Sequence, residues 1–203
     1  MSAPVAVSAI LAEREALDMQ LAFKTLTEWN EQWWDKLGPI YRDAFVHGAK
    51  PEKVLRSMVS RGIACLHAGM IGEEAAAMAV AGFSGGRDRR RLILDYMAVR
   101  RDLRGKGLGK HLFAQIRDWA VREYQAEAVI IEAEAKDTEE NRRRLAFWES
   151  CGFIATSYVH RYIWVPEPYR ALALPLSPDF AVTDDGQSLF RDIISFHRKS
   201  FRR

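Results

Sequence analysis

The sequence predicts a single α/β domain of the α+β kind, a central mixed, mostly antiparallel sheet flanked by helices, and three observations carry that prediction. The chain has 203 residues, 48% hydrophobic and 28% charged, a composition that closes a soluble core of one-domain size. Short apolar runs alternate with stretches of 3.6-residue periodicity, so strands and helices interleave. Residues 92–99, 108–124 and 128–133 read in succession as strand, helix and strand, the unit that joins two parallel neighbours. No repeat of fixed period and no low-complexity segment interrupts the pattern.

Taken in order, residues 8–18 place Ile10, Leu11 and Leu17 on a short helix, and residues 21–27 alternate enough for a first strand. Residues 28–45 form an amphipathic helix, with Trp29, Trp33, Leu37, Ile40, Tyr41 and Phe45 recurring near the helical period and Gly38-Pro39 placed to break it. A second helix covers residues 51–61, Pro51 suiting its first turn and Gly62 lying just past its end. Residues 62–70 and 75–83, separated by Gly-Glu-Glu, read as a hairpin, and the turn SGGRDRRR leads to a third run, LILDYMAV, at residues 92–99. After Gly107, the residues Leu108, Leu112, Phe113, Ile116, Trp119, Ala120 and Tyr124 define a long helix, and AVIIEA at residues 128–133 is a buried strand. The polar loop KDTEEN opens a helix over residues 141–150 that stops at Gly152. Residues 153–164 form a last strand pair or one long strand, ended by Pro166 and Pro168, and residues 188–203 are a C-terminal amphipathic helix carrying Leu189, Phe190, Ile193, Ile194 and Phe201. The domain core so read spans residues 21–165, with an extension at 1–20 and another at 167–203.

Composition excludes several classes. The stretches free of Asp, Glu, Lys and Arg, residues 62–72 and 75–86 among them, fall short of the roughly 18–20 residues that cross a bilayer. The first residues carry an apolar patch with no Lys or Arg ahead of it and run into Glu13, which is not a secretory leader, so a cytoplasmic protein is expected. Two cysteines, Cys65 and Cys151, make neither a disulfide framework nor a four-ligand zinc site, and the five histidines are scattered, so no metal is expected. Net charge is only +3. Residues 87–110 nevertheless hold nine basic residues against three acids, a concentration that suits a compact phosphorylated ligand better than a long nucleic-acid track.

That basic segment ends in Val99-Arg100-Arg101-Asp102-Leu103-Arg104-Gly105-Lys106-Gly107-Leu108-Gly109-Lys110, a strand end, a Gly-rich loop and a helix start. Alternate glycines remove Cβ atoms where a ligand must touch backbone, and a helix start offers unpaired N–H groups and partial positive charge, so the loop reads as a pyrophosphate cradle. A Walker A loop fails, because Arg104 stands five residues before Gly109 and His111 follows Lys110; the dinucleotide fingerprint fails at Lys110 or Leu112, depending on which glycine starts it. The pattern Arg/Gln-x-x-Gly-x-Gly/Ala is filled by Arg104, Gly107 and Gly109, and here the sequence resembles the GNAT superfamily of acyl-CoA-dependent N-acyltransferases. NRRRLAFWESCGF follows at the right distance and is similar to the family's second signature, Asn-x-x-Ala-x-x-x-Tyr-x-x-x-Gly-Phe, matched by Asn141, Gly152 and Phe153. The resemblance covers residues 21–164.

The resemblance implies acetyl-CoA as co-substrate, lying where two parallel strands of the GNAT fold splay apart. Backbone groups of Met97, Ala98 and Val99 would hold the pantetheine and thioester, and those of Arg104, Gly105, Lys106, Gly107, Leu108, Gly109 and Lys110 the pyrophosphate. Asn141 would sit near the pantetheine arm or act as a helix N-cap. Trp148 takes the position where the family usually has Tyr, and an indole N–H does not give up its proton at neutral pH, so Trp148 cannot be the general acid. Tyr162, Tyr158 or water fills that role, or the thiolate leaves unprotonated.

Attack on a thioester needs a free amine, hence a base. Candidates are Asp95, sharing strand parity with Met97 and Val99 in an apolar strand that should raise its pKa, and Glu132 and Glu134, two apart on one face of the partner strand. The expected activity is N-acetyl transfer to a small-molecule amine by direct attack in a ternary complex. The rivals are a protein or peptide acceptor, a non-catalytic acyl-CoA-binding module, and a nucleic-acid binder. The C-terminal helix packs on the domain or on a second copy, which would make a homodimer.

Overall fold

The computed structural model describes residues 21–86, 90–163, 165–182 and 186–201; the helix expected over residues 8–18 lies outside them. Seven strands, β1 (Ala22–Leu26), β2 (Ala64–Ile71), β3 (Glu74–Ser84), β4 (Arg91–Val99), β5 (Ala128–Glu134), β6 (Ile154–Arg161) and β7 (Pro168–Pro175), form one sheet in the order β1-β2-β3-β4-β5-β7-β6. Helices α1 (Glu31–Ala44) and α2 (Glu52–Ser60) follow β1, α3 (Leu108–Tyr124) joins β4 to β5, α4 (Glu139–Ser150) joins β5 to β6, and α5 (Gly186–Phe201) closes the described chain. Every strand pairing is antiparallel except β4 with β5, the pair connected through α3.

Alternation along the strands builds a core on each face. Ile93 and Ile130 point to the side covered by α1, α2 and α5, where Leu37, Leu55, Met58, Phe190 and Phe196 pack. Leu92, Leu94, Val129 and Ile131 point to the other, beneath Leu112, Phe113 and Ile116 of α3 and Trp148 of α4. The alanines of β3 keep its surface low, so helices lie close on both sides.

Local chemistry departs from the sequence reading at three places. Pro39 does not break α1, because it faces solvent, where the Asp35 carbonyl left without its helical N–H partner can be hydrated; Asn30 caps the helix, accepting from the Trp33 N–H. α4 begins at Glu139 with Thr138 as N-cap, so Asn141 is not the cap. Of the two readings of residues 153–164 the structure shows the single strand, β6, but the sheet does not end at Pro168: β7 starts there and inserts between β5 and β6. Proline is tolerated at a strand's first residue, and the alternation ALALP that follows it is the strand signal.

Of the two homes open to the C-terminal helix, the structure shows the domain itself. Phe190, Ile193 and Phe196 are buried in the first core, while Asp192 receives the Arg91 guanidinium at 2.5 Å and the Ser84 hydroxyl at 2.9 Å. Phe196 is fully buried and Phe201 is 61% exposed. Phe196→Ala is therefore expected to cost about 3–5 kcal/mol in urea unfolding, and Phe201→Ala about 0.5 kcal/mol or less.

Candidate active site

The site starts where β4 and β5 stop pairing. Their parallel register runs through Arg91↔Ala128, Leu92↔Val129 and Ile93↔Ile130 and ends there, although both strands continue. The β5-facing edge of β4 beyond Ile93 consequently presents unpaired backbone groups to a gap. At the mouth of that gap the chain leaves Val99, makes a short 3₁₀ turn over Arg101–Leu103 and enters α3.

The loop is shaped by two left-handed residues, Gly105 at φ 79° and Gly107 at φ 78°, conformations an L side chain rarely takes. A Cβ at either would meet nothing within 4 Å, so these faces are open. Gly109 serves differently: its Cβ would lie 3.3 Å from the Phe147 ring, and the missing side chain lets α3 approach α4. Gly107 caps α3 without a side-chain acceptor, and the first N–H to fold back within the helix is that of His111, 3.1 Å from the Gly107 carbonyl. The N–H groups of Leu108, Gly109 and Lys110 precede it and have no intrahelical carbonyl to reach. Arg104 donates to the Val99 carbonyl at 3.1 Å, and Asp43 of α1 holds Arg101 at 3.0 Å and Arg104 at 3.8 Å, fixing the loop against the domain. Lys106 and Lys110 are exposed beside it. An open, cationic row of backbone donors fits a pyrophosphate.

A β-bulge sets the other half of the site. Val80 pairs with Tyr96 and Ala81 with Leu94, so Asp95 is the extra residue. The bulge breaks the expected parity. Met97 and Val99 face the α3/α4 side, whereas Asp95 faces the α1/α2/α5 side, against Lys50 and His197. Glu132 lies two residues past Ile130 as Asp95 lies two past Ile93, and the two carboxylates confront each other across the start of the gap.

Three further groups complete this cluster. Lys50 holds both Asp95 oxygens, at 2.7 and 2.9 Å, with both side chains nearly excluded from solvent. His197 of α5 places Nε2 at 3.3 Å from Asp95 Oδ1 and 3.5 Å from Glu132 Oε1. The Tyr162 hydroxyl donates to Glu132 Oε2 at 2.6 Å. Lys50 is itself held by its backbone: the Tyr41 hydroxyl donates to its carbonyl, its N–H donates to the Tyr96 oxygen, and Tyr96 donates to the Gly48 carbonyl.

The environments push the two carboxylates apart. Burial alone would raise Asp95, but the Lys50 ammonium and His197 outweigh it and hold the carboxyl below its ordinary range, opposite to the direction its apolar strand suggests. Glu132 is raised by burial, which its neighbours His197 and Tyr162 only partly offset. Burial first and the Glu132 charge second keep the Tyr162 hydroxyl protonated well above the ordinary tyrosine range.

The remaining sequence candidates lie apart from this cluster. Glu134 is more exposed at the end of β5, 3.9 Å from Arg144. Asn141 is buried, donates to the Lys136 carbonyl and accepts from Arg144, tying the loop between β5 and α4 to the first turn of α4. Trp148 packs edge-on against Phe113 and Phe153 on the opposite sheet face. Burial pushes Cys65 up to about 12 and raises Cys151 as well, so neither thiol is an activated nucleophile. Among the described residues no His, Cys, Asp and Glu group could hold a metal ion, and no helix is long and apolar enough to cross a membrane.

Sequence reasoning did not find Lys50 or His197. Lys50 sits in a polar loop without a motif. His197 falls three and four residues after Ile194 and Ile193, a polar residue on the apolar stripe of its helix, and that misfit was the available signal.

The model of the acetyltransferase (GNAT) family matches residues 24–153. An acetyltransferase of Bacillus subtilis solved with CoA shares 16% identity at a TM-score of 0.55, covering 78% of this chain and all of that one. The ribosomal-protein-S18-alanine N-acetyltransferase of Escherichia coli shares 17% at 0.60, covering 79% of this chain and all of that one. A GNAT-family protein of Bacteroides thetaiotaomicron shares 13% at 0.69, covering 90% of this chain and all of that one. At these identities the structures establish the fold. No curated protein sequence matches the chain.

Removing the Lys50 ammonium strands a buried carboxylate. Lys50→Met is expected to lose about 3–5 kcal/mol of stability near neutral pH. In the native chain the lowered Asp95 pKa stabilises above its ordinary value of 3.8 and that contribution fades as pH falls through the folded value. In Lys50→Met the folded pKa is raised instead, so part of the lost stability returns on acidification; denaturant unfolding across pH, with Lys50→Met/Asp95→Asn as the partner variant, checks the sign.

Proposed function

Because the chain belongs to the acetyltransferase (GNAT) family and is an acyl-CoA N-acyltransferase, we propose that it moves an acetyl group from acetyl-CoA to the amine of a small molecule, with Glu132 as general base. The observation that carries the assignment is the Asp95–Glu132 pair: the carboxylate locked by a lysine stays ionised and occupied, and the one raised by burial has a free basicity matched to proton transfer.

The pyrophosphate lies along the open backbone of Gly105, Lys106, Gly107, Leu108, Gly109 and Lys110, with Arg104 beside it. The pantetheine adds to the unpaired edge of β4 at Met97, Ala98 and Val99, bringing the thioester into the gap. Asn141 shapes this wall through the Lys136 carbonyl, and Trp148 supports it from the core. Glu132 takes a proton from the acceptor ammonium, the amine nitrogen attacks the thioester carbon, and a β4 backbone N–H meets the developing oxyanion. Collapse breaks the carbon–sulfur bond, and the second proton, shed by the attacking nitrogen as the amide forms, passes through water to the departing sulfur, so that amide and CoA thiol leave; Tyr162, held on Glu132 and hard to ionise, is not that proton's source. No acyl-enzyme is formed, consistent with the raised thiols.

The acceptor side favours a small amine over a polypeptide. Asp95 is 5% exposed, Glu132 20% and His197 22%, on the sheet face covered by α1, α2 and α5, and the low exposure of these groups supports a small acceptor.

Thiol release from acetyl-CoA, read against amino acids, polyamines, aminoglycosides, arylamines and basic peptides, is expected to depend on a small amine. Gly107→Glu should abolish CoA binding, since a carboxylate then occupies the phosphate's place. Glu132→Gln should lower kcat by about 10²–10⁴-fold with acetyl-CoA affinity kept. The acidic limb of kcat/KM should lie above 4.5, the ordinary glutamate value. Turnover only with peptides would replace the small-molecule reading, and thiol release undiminished in Glu132→Gln would remove the base assignment.

A further inference from the structure

The helix α5 lies wholly outside residues 24–153, the part that the family model matches, yet it sends a side chain into the reaction centre. His197 follows directly on Phe196, which is fully buried, and the helix is pinned further up by Asp192 on Arg91 and Ser84. The imidazole is therefore delivered by a fixed element.

We propose that α5 is an integral part of the catalytic site and that His197 is the positioning residue through which it acts, bridging Asp95 and Glu132 across the open end of the β4–β5 gap and setting the orientation and basicity of Glu132. This rests on the assignment of Glu132 as base.

The geometry gives each group a distinct duty. Asp95 is anchored by Lys50, so its Oδ1 is a fixed point that accepts from His197 at 3.3 Å. From that anchor the imidazole reaches toward Glu132 Oε1 at 3.5 Å, close enough to act on its charge and too far to occupy its lone pair tightly. Glu132 Oε2 already accepts from Tyr162. Oε1 is thus the oxygen left to take the amine's proton. Without the imidazole, Asp95 and Glu132 would face each other as like charges in a buried space, which drives a carboxyl toward its neutral form and spoils it as a base. The other groups facing Glu132 are Tyr162 from the end of β6, Tyr169 from β7, and Lys50 and Asp95 beyond the imidazole. None of these reaches between the two carboxylates. Among the described residues the histidine is the group set against both carboxylates, at 3.3 and 3.5 Å.

The test compares the full-length protein with His197→Phe and His197→Gln, with Ser195→Ala on the same helix as control. The Glu132 carboxyl is titrated by ¹³C NMR without ligand, assigned by its loss in Glu132→Gln, and the pH profile of kcat/KM is recorded with the best acceptor. Both His197 variants should raise the Glu132 midpoint by about half a unit or more, and the acidic limb should move up with it. His197→Phe should lose about tenfold or more in kcat with the KM for acetyl-CoA unchanged. His197→Gln, which keeps a donor of similar reach, should regain part of kcat without restoring the limb, and Ser195→Ala should change nothing. Should His197→Phe fail to fold, His197→Gln decides alone. An unmoved Glu132 midpoint, or a loss of kcat with no shift of the limb, overturns the proposal and leaves His197 as packing. A midpoint that moves in a protein that acetylates no amine upholds the bridge and removes the functional reading instead.

Discussion

The structure depends on the point where two parallel strands stop pairing. After Ile93 and Ile130 the β4–β5 ladder is broken while both strands run on, and backbone groups that would normally satisfy each other are left to an outside partner. A polypeptide leaves such an edge open only when something else completes it. The bulge at Asp95, the glycine turn after Val99 and the start of α3 all lie on the β4 side of that opening, and each adds donors or charge around it. In the reading proposed above, an acyl-CoA complements this arrangement, with an amide-bearing arm for the strand edge, a pyrophosphate for the helix start and a thioester at the apex.

Electrostatics then decides what happens at the apex. Two carboxylates project into an otherwise apolar sheet face, and each is balanced by groups from elsewhere in the chain: Lys50 from the loop between α1 and α2, His197 from α5 and Tyr162 from the end of β6. Burial penalises both charges, and the unequal balance separates their roles, Asp95 as an ionised anchor and Glu132 as the group whose proton affinity is raised. The tyrosines that hold the backbone on either side of Lys50 extend this design one layer outward, so the anchor is rigid before any substrate arrives.

Much of this was legible in the sequence, for physical reasons that differ by element. The glycine loop and the strand–helix–strand around it are local, because φ > 0 and helix-start chemistry leave marks on adjacent residues, and the GNAT resemblance rested on them. Glu132 and Tyr162 were found by residue type, but their contact is made across two strands that the sequence does not register against each other. β7 is hidden because Pro168, its first residue, has the signature of a strand's end, while the short apolar run after it is the only sign that a strand follows. The bulge at Asp95 has no signature in LILDYMAV until the partner strand is known, and it moves Met97 and Val99 to the face opposite Asp95, which keeps the face of Ile93. His197 and Lys50 act on β4 from α5 and from the loop after α1, and no spacing rule joins positions so far apart.

The central claim, that the β4–β5 gap and the loop before α3 form one acyl-CoA site, is tested most directly by amide hydrogen exchange of the full-length protein with and without CoA. Slowed exchange at Met97, Ala98, Val99 and from Gly105 to Lys110, with β1 and β2 unchanged, is the result this account predicts. Protection confined to other elements, or none at saturating CoA, would contradict it.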